Sequence, residues 1–164
     1  MIWPLPDPWA VAVSAVVWLG VSLAIGKLAV TWAPARLEQE GPVTRIRAWE
    51  RDGRTWQRWV RVLRWKDALP EAGEFFGGGT SKRHLGSPNT EGLEAFRRET
   101  MRAERVHWSI MATGPVQVLW CRPTVALGMV VFGVVFNAPF IVVQRYNRGR
   151  LDRLLLRRRG AFVH

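Results

Sequence analysis

Glu104 and His107 are the residues whose type and spacing are best suited to chemistry. At 100° per residue, Leu93, Phe96, Thr100, Glu104, His107 and Met111 fall within about 80° of one another, so acid and imidazole share an otherwise apolar helix face. Arg98, Arg102 and Arg105 project from the opposite side, which gives the charges that merely need water a face of their own. A buried carboxylate is costly unless paired, and the i, i+3 offset lets an imidazole supply the pairing. Three chemistries fit. As a catalytic dyad, Glu104 orients and polarises His107, which acts as a general base. As a structural pair, the two tie a helical hairpin to a loop. As half of a Glu-x-x-His dimetal site they would need a second such motif, which the chain lacks, so no metal is expected.

Other candidates lie on either side. Asp67 to Gly92 is rich in glycine and contains proline, which predicts a long irregular loop, and loops of that length are often functional. In it FFGGGTSK lacks the spacing of a nucleotide P-loop, but Lys82, Arg83 and His84 follow the three glycines and can meet an anionic substrate. Arg145, Arg148 and Arg150, in RYNRGRLDRLLLRRRG, suit recognition of phosphate or carboxylate, and serve equally as a cluster that fixes topology. The single cysteine, Cys121, can form no internal disulfide and reads as a packing residue.

The elements that must position these groups are membrane helices. Pro123 to Gln144 is an uncharged run of 22 residues, Pro8 to Gly26 one of 19, and Val106 to Cys121 a run of 16 with His107 as its one titratable group. In 164 residues this leaves room for a single domain, with spans near 8–30, 106–121 and 123–144, a region 31–105 between them and a basic tail 145–164. The fold class expected is an all-α integral membrane protein: an N-terminal transmembrane helix, a cytoplasmic amphipathic helix and loop, and a C-terminal transmembrane hairpin. None of the 24 basic residues precedes Lys27, 16 lie from Lys27 to Arg105 and seven from Arg145 to Arg159. The positive-inside tendency therefore puts the N-terminus outside and both the loop and the tail in the cytoplasm of a multi-pass cell-membrane protein, which needs three crossings. The net charge of +11 points to anionic lipid headgroups rather than nucleic acid. Met1 to Gly26 lacks the positive start of a signal peptide and reads as an uncleaved anchor. Trp9, Trp32, Trp108 and Trp120 are expected at the headgroup level, and Trp18 against another span. Asn137 and Pro139 predict a kink inside the last span.

From Asp52 to Lys66, Trp56, Trp59, Val60 and Leu63 recur at i, i+3, i+4 and i+7, with Arg54, Arg58 and Arg61 on the other side. The spacing predicts an amphipathic helix, its apolar face buried either in the membrane surface or against the other helices.

Four motifs in order, ERDGRTWQRWVRVLRWKDALP, SKRHL, ETMRAERVHW and IVVQRYNRGR, resemble the glycosyl-4,4'-diaponeurosporenoate acyltransferase family of carotenoid biosynthesis. The likeness runs from about Trp49 to Gly160. It implies a membrane O-acyltransferase that esterifies the glucose 6-hydroxyl of a glycosylated C30 carotenoid acid, or acylates a related glycolipid, in the final step of a staphyloxanthin-type pigment. The matching polar positions are Lys66, His84, Glu104, His107, Arg145, Tyr146, Asn147, Arg148 and Arg150. Gly149 departs from the proline of the family's motif and loosens the turn expected there.

Direct acyl transfer of this kind needs a base and donors for the oxyanion. His107 with Glu104, or His84, can be the base; Lys82, Arg83 or Arg145 can hold the donor's phosphates, and Asn147 or Tyr146 can donate to the oxyanion. No cofactor is expected to be bound, the acyl donor being acyl-coenzyme A or acyl carrier protein. The competing function is a non-catalytic membrane adaptor whose Trp and Arg surface binds anionic lipids or partner enzymes.

Overall fold

The computed structural model describes residues 5–69 and 90–161, and within them every regular element is helical. Lys82, Arg83 and His84 lie outside the described residues. α1 spans Asp7–Val30, α2 Pro34–Glu38, α3 Arg54–Val60, α4 Thr90–Ala112 and α5 Pro123–Ala161. α1 begins where Pro6 and Pro8 fix the entry dihedrals, with Asp7 in its first turn and Lys27 in its last, both complementing the helix dipole. It and α5 are long and apolar enough to cross a membrane. α5, with 39 residues, is about 58 Å long, so its basic second half extends well past any bilayer core.

α4 runs antiparallel along α5. Leu93 packs with Leu151 and Leu155 at one end, while His107 meets Asn137 and Gly114 lies against Val130 farther along. The expected span 106–121 is not one helix. α4 stops at Ala112, and a 3-10 helix, Gly114–Leu119, carries the chain onward. Pro115 is the reason: it has no N–H to donate and crowds the residue before it out of helical dihedrals. Even so, the irregular stretch returns the chain to the start of α1. There the Leu5 N–H donates to the Trp120 carbonyl at 3.0 Å, Arg122 pairs with Asp7 at 3.7 Å, and Ala10, Cys121 and Ala126 form a buried cluster. α1 and α5 therefore start side by side and run in the same direction. Trp18 packs closely on Gly133, where a Cβ would meet its ring at 2.2 Å, so this indole does pack against another long helix. The indoles of Trp108 and Trp120 also turn inward, donating to Glu104 and Ser14.

The segment before α3 is pinned to α5 by two glycines. Gly53 has φ +87° and sits on the Tyr146 backbone, and a Cβ on Gly149 would lie 2.5 Å from the Asp52 carbonyl carbon. Gly149 therefore lies inside a continuous helix and makes a close approach, not the loosened turn expected. Pro139 likewise does not end α5. The amphipathic helix expected over Asp52 to Lys66 is shorter: α3 ends at Val60, because Arg61 adopts φ +49°, and a 3-10 turn follows. That break sends Val62 into a buried cluster with Val143 and Tyr146, while Trp59 and Leu63 stay exposed.

Candidate active site

Two polar centres lie between α4 and α5, one helical turn apart on α4. The first is a chain of alternating charges. Arg145 donates through Nε and Nη2 to both oxygens of Glu50, at 2.9 and 2.5 Å, and through Nη1 to Glu104 at 2.7 Å. Arg148 donates to the second Glu104 oxygen and to the Thr44 carbonyl. Glu50, Glu104 and Arg148 are fully buried, and Arg145 nearly so. Further valences are used nearby: Arg145 reaches the carbonyls of Val43 and Arg45, and Glu50 accepts from the Arg47 N–H and Trp56 Nε1, while Arg148 Nε lies 3.7 Å from Glu40 without a hydrogen bond among the described residues. Burial pushes the Glu50 carboxyl up, but hydrogen bonds from Arg145, Arg47 and Trp56 outweigh it and hold the group below the ordinary carboxylate value. Two carboxylates and two guanidiniums cancel, which is how this much charge tolerates exclusion from water.

The second centre is His107. Asn137, itself buried, donates from Nδ2 to the Gly133 carbonyl at 2.9 Å, and its Oδ1 stands 2.8 Å from His107 Nδ1. A carbonyl oxygen can only accept, so the amide nitrogen must face Gly133 and the amide oxygen must face the imidazole. His107 Nδ1 therefore carries the proton, and Nε2 presents a lone pair. Nε2 makes no hydrogen bond within the described residues. The ring is stacked on Phe140 at 4.5 Å and 14°, which fixes its plane.

The acid and imidazole expected to pair are thus neighbours with separate partners. Glu104 is saturated by Arg145, Arg148 and Trp108, and Asn137 takes the place beside His107. The i, i+3 offset puts two side chains on one face, but the two guanidiniums of α5 outcompete a neutral imidazole for a carboxylate. For the same reason Arg145 and Arg148 are committed to internal acids. Tyr146 is buried in the Val62 cluster and its hydroxyl accepts from Arg150 at 3.4 Å, with that guanidinium 5.5 Å from the ring. Asn147 is half-buried and lies ten residues beyond Asn137, about 15 Å along α5, too far to serve a reaction at His107. Lys66 pairs with Asp67.

Sequence reasoning missed Glu50, for which no periodic signal exists, and read Asn137 only as part of a kink. An amide within an apolar run opposite a helix bearing a lone histidine was the available clue. Among the described residues no group of three or more potential metal ligands exists.

Residues 42–157 match the family described as glycosyl-4,4'-diaponeurosporenoate acyltransferase. Proteins of that name from Staphylococcus aureus strains USA300 and MRSA252 are 34% identical to this chain over 147 residues, and that of strain Newman 33%, covering 87% of each chain. No solved structure matches. With the match spanning most of the chain and both polar centres, this protein belongs to the glycosyl-4,4'-diaponeurosporenoate acyltransferase family, and is an acyltransferase of carotenoid biosynthesis.

Proposed function

We propose that this protein transfers a fatty acyl group from a thioester donor, coenzyme A or acyl carrier protein, to the glucose 6-hydroxyl of a glycosylated carotenoid or related glycolipid, as the last step of a staphyloxanthin-type pigment. His107 is the general base. The observation that carries this is its tautomer: Nδ1–H held by Asn137, and Nε2 without a hydrogen bond among the described residues. As the hydroxyl oxygen attacks the thioester carbonyl carbon, Nε2 takes the hydroxyl proton. The tetrahedral intermediate then collapses, the C–S bond breaks, and the imidazolium returns its proton to the departing sulfur, leaving ester and thiol. Glu104 is a positioning residue: through Arg145 and Arg148 it holds α4 against α5 and so sets where His107 stands. α1 and α5 cross the cell membrane with their starts outside, and the 31–105 region and basic tail lie in the cytoplasm, where a soluble thioester arrives. Lys82 and Arg83 are retained as partners for the donor's phosphates, and His84 as the rival base.

The test uses purified protein in lipid nanodiscs with acyl-coenzyme A and a glucosylated acceptor, the ester being read by mass spectrometry. His107→Ala lowers turnover by about 10²- to 10⁴-fold, the range a positioned base contributes, with unchanged abundance and membrane insertion. Full activity in His107→Ala alongside loss in His84→Ala would transfer the role to His84.

A further inference from the structure

A file of aromatic rings leads along α5 to His107. Trp18 and Phe132 stand 5.2 Å apart by ring centroid, Phe132 and Phe136 5.7 Å, Phe136 and Phe140 6.0 Å, and Phe140 and His107 4.5 Å. The three phenylalanines recur at i, i+4 and i+8, so their rings follow one another along a single flank, and Phe132 to Phe140 extends about 12 Å. Phe132 and Phe136 are 50% and 58% exposed, while Trp18 at the far end is seated on Gly133 and closes the file. Leu127, Val131, Val134 and Val135 are exposed on the adjoining face of this part of α5, but the row of rings is the one that ends at a group able to take a proton.

We infer that this stripe is the seat of the acceptor's conjugated chain, laid over Phe136 and Phe132 so that its polar sugar end reaches His107. The proposal rests on the reading of His107 as base. It favours the acceptor over the donor for two reasons. The base at the end of the file acts on the acceptor's hydroxyl, so the chain nearest it is the one bearing that hydroxyl. A planar polyene is also already rigid and can lie along the row of rings at little conformational cost, whereas a saturated acyl chain would give up rotamer freedom to lie there. An ordinary bilayer lipid contacting the same flank would gain nothing from the rings ending at an imidazole.

The experiment compares two acceptors in nanodiscs, the glucosyl ester of a long polyene acid and the glucosyl ester of a short saturated acid, each with the same acyl-coenzyme A. Phe136→Leu, and separately Phe132→Leu, keep apolar volume and remove a ring face. The ratio of kcat/KM for the polyene acceptor to that for the short one is expected to fall about tenfold in the double variant, chiefly through KM of the polyene ester. A ratio equal to that of the parent protein overturns the assignment, as does a loss that follows the donor's chain length instead. His107→Ala measured in parallel keeps the two ideas apart: turnover surviving there sinks the base while the ratio still reports on the stripe.

Discussion

At His107 the tautomer, and with it the base proposed above, is decided by an amide. Asn137 is locked by the Gly133 carbonyl, so it offers the imidazole an acceptor and nothing else. Replacing it with Leu removes that acceptor and frees both tautomers. Turnover should drop by roughly tenfold to a hundredfold, a part of the 10²–10⁴ a positioned base supplies, and ring ¹⁵N shifts of His107 should lose the fixed Nδ1–H signature. Glu104 predicts a different phenotype. Glu104→Gln leaves Arg145 and Arg148 facing each other with half their compensation, a change that costs about 3–5 kcal/mol when a buried pair is broken. The expected outcome is a lower thermal midpoint together with lost activity, not a selective fall in kcat. Glu50 gives a pH signature. Its folded-state value lies below the unfolded one, so its pairing contributes stability above the unfolded value. That contribution disappears as pH falls through the folded value. Thermal midpoints in detergent should decline at acid pH below the ordinary carboxylate range, and Glu50→Gln should flatten that part of the profile.

Between elements, contact is made where side chains are absent. Gly53 and Gly149 bring the loop before α3 onto the backbone of α5, and Gly133 admits the Trp18 ring. Gly149→Val puts carbon into space already held by the Asp52 backbone and should destabilise by about 1–3 kcal/mol, the usual cost of overpacking, seen as a lower thermal midpoint with the helical content retained. How much of this was legible follows from the kind of signal each feature leaves. The extent of α1, the start of α5, the shared face of Glu104 and His107, and Trp18 packing inward can be read from runs and periods, whereas the continuation of α5 through the basic tail to Ala161 cannot, because the apolar run ends at Gln144. The break at Arg61 cannot, because the pattern of Trp56, Trp59, Val60 and Leu63 continues past it while the backbone turns left-handed. Nor can the partner of Glu104 be read, since Arg145 lies 41 residues away and competition among cations is settled only by packing.

For the whole molecule, the parallel course of α1 and α5 makes a prediction about sidedness. With Cys121 changed to Ala, a single cysteine at position 122 should react with an impermeant thiol reagent added outside intact cells, whereas cysteines at positions 45 or 158 should react only after the membrane is opened. Labelling of 122 and 158 from the same side would refute the proposed arrangement. The neutral quartet carries one more consequence, for the order in which the chain is built. Glu50 and Glu104 leave the ribosome well before Arg145 and Arg148, so the acids wait in water until the last helix is delivered. The basic end of that helix has no compensated place to settle until they are there. Synthesis order thus makes α5 the keystone: the protein is locked together only when its final helix docks, and a chain truncated before Arg145 should be cleared by proteolysis rather than persist as a partial enzyme.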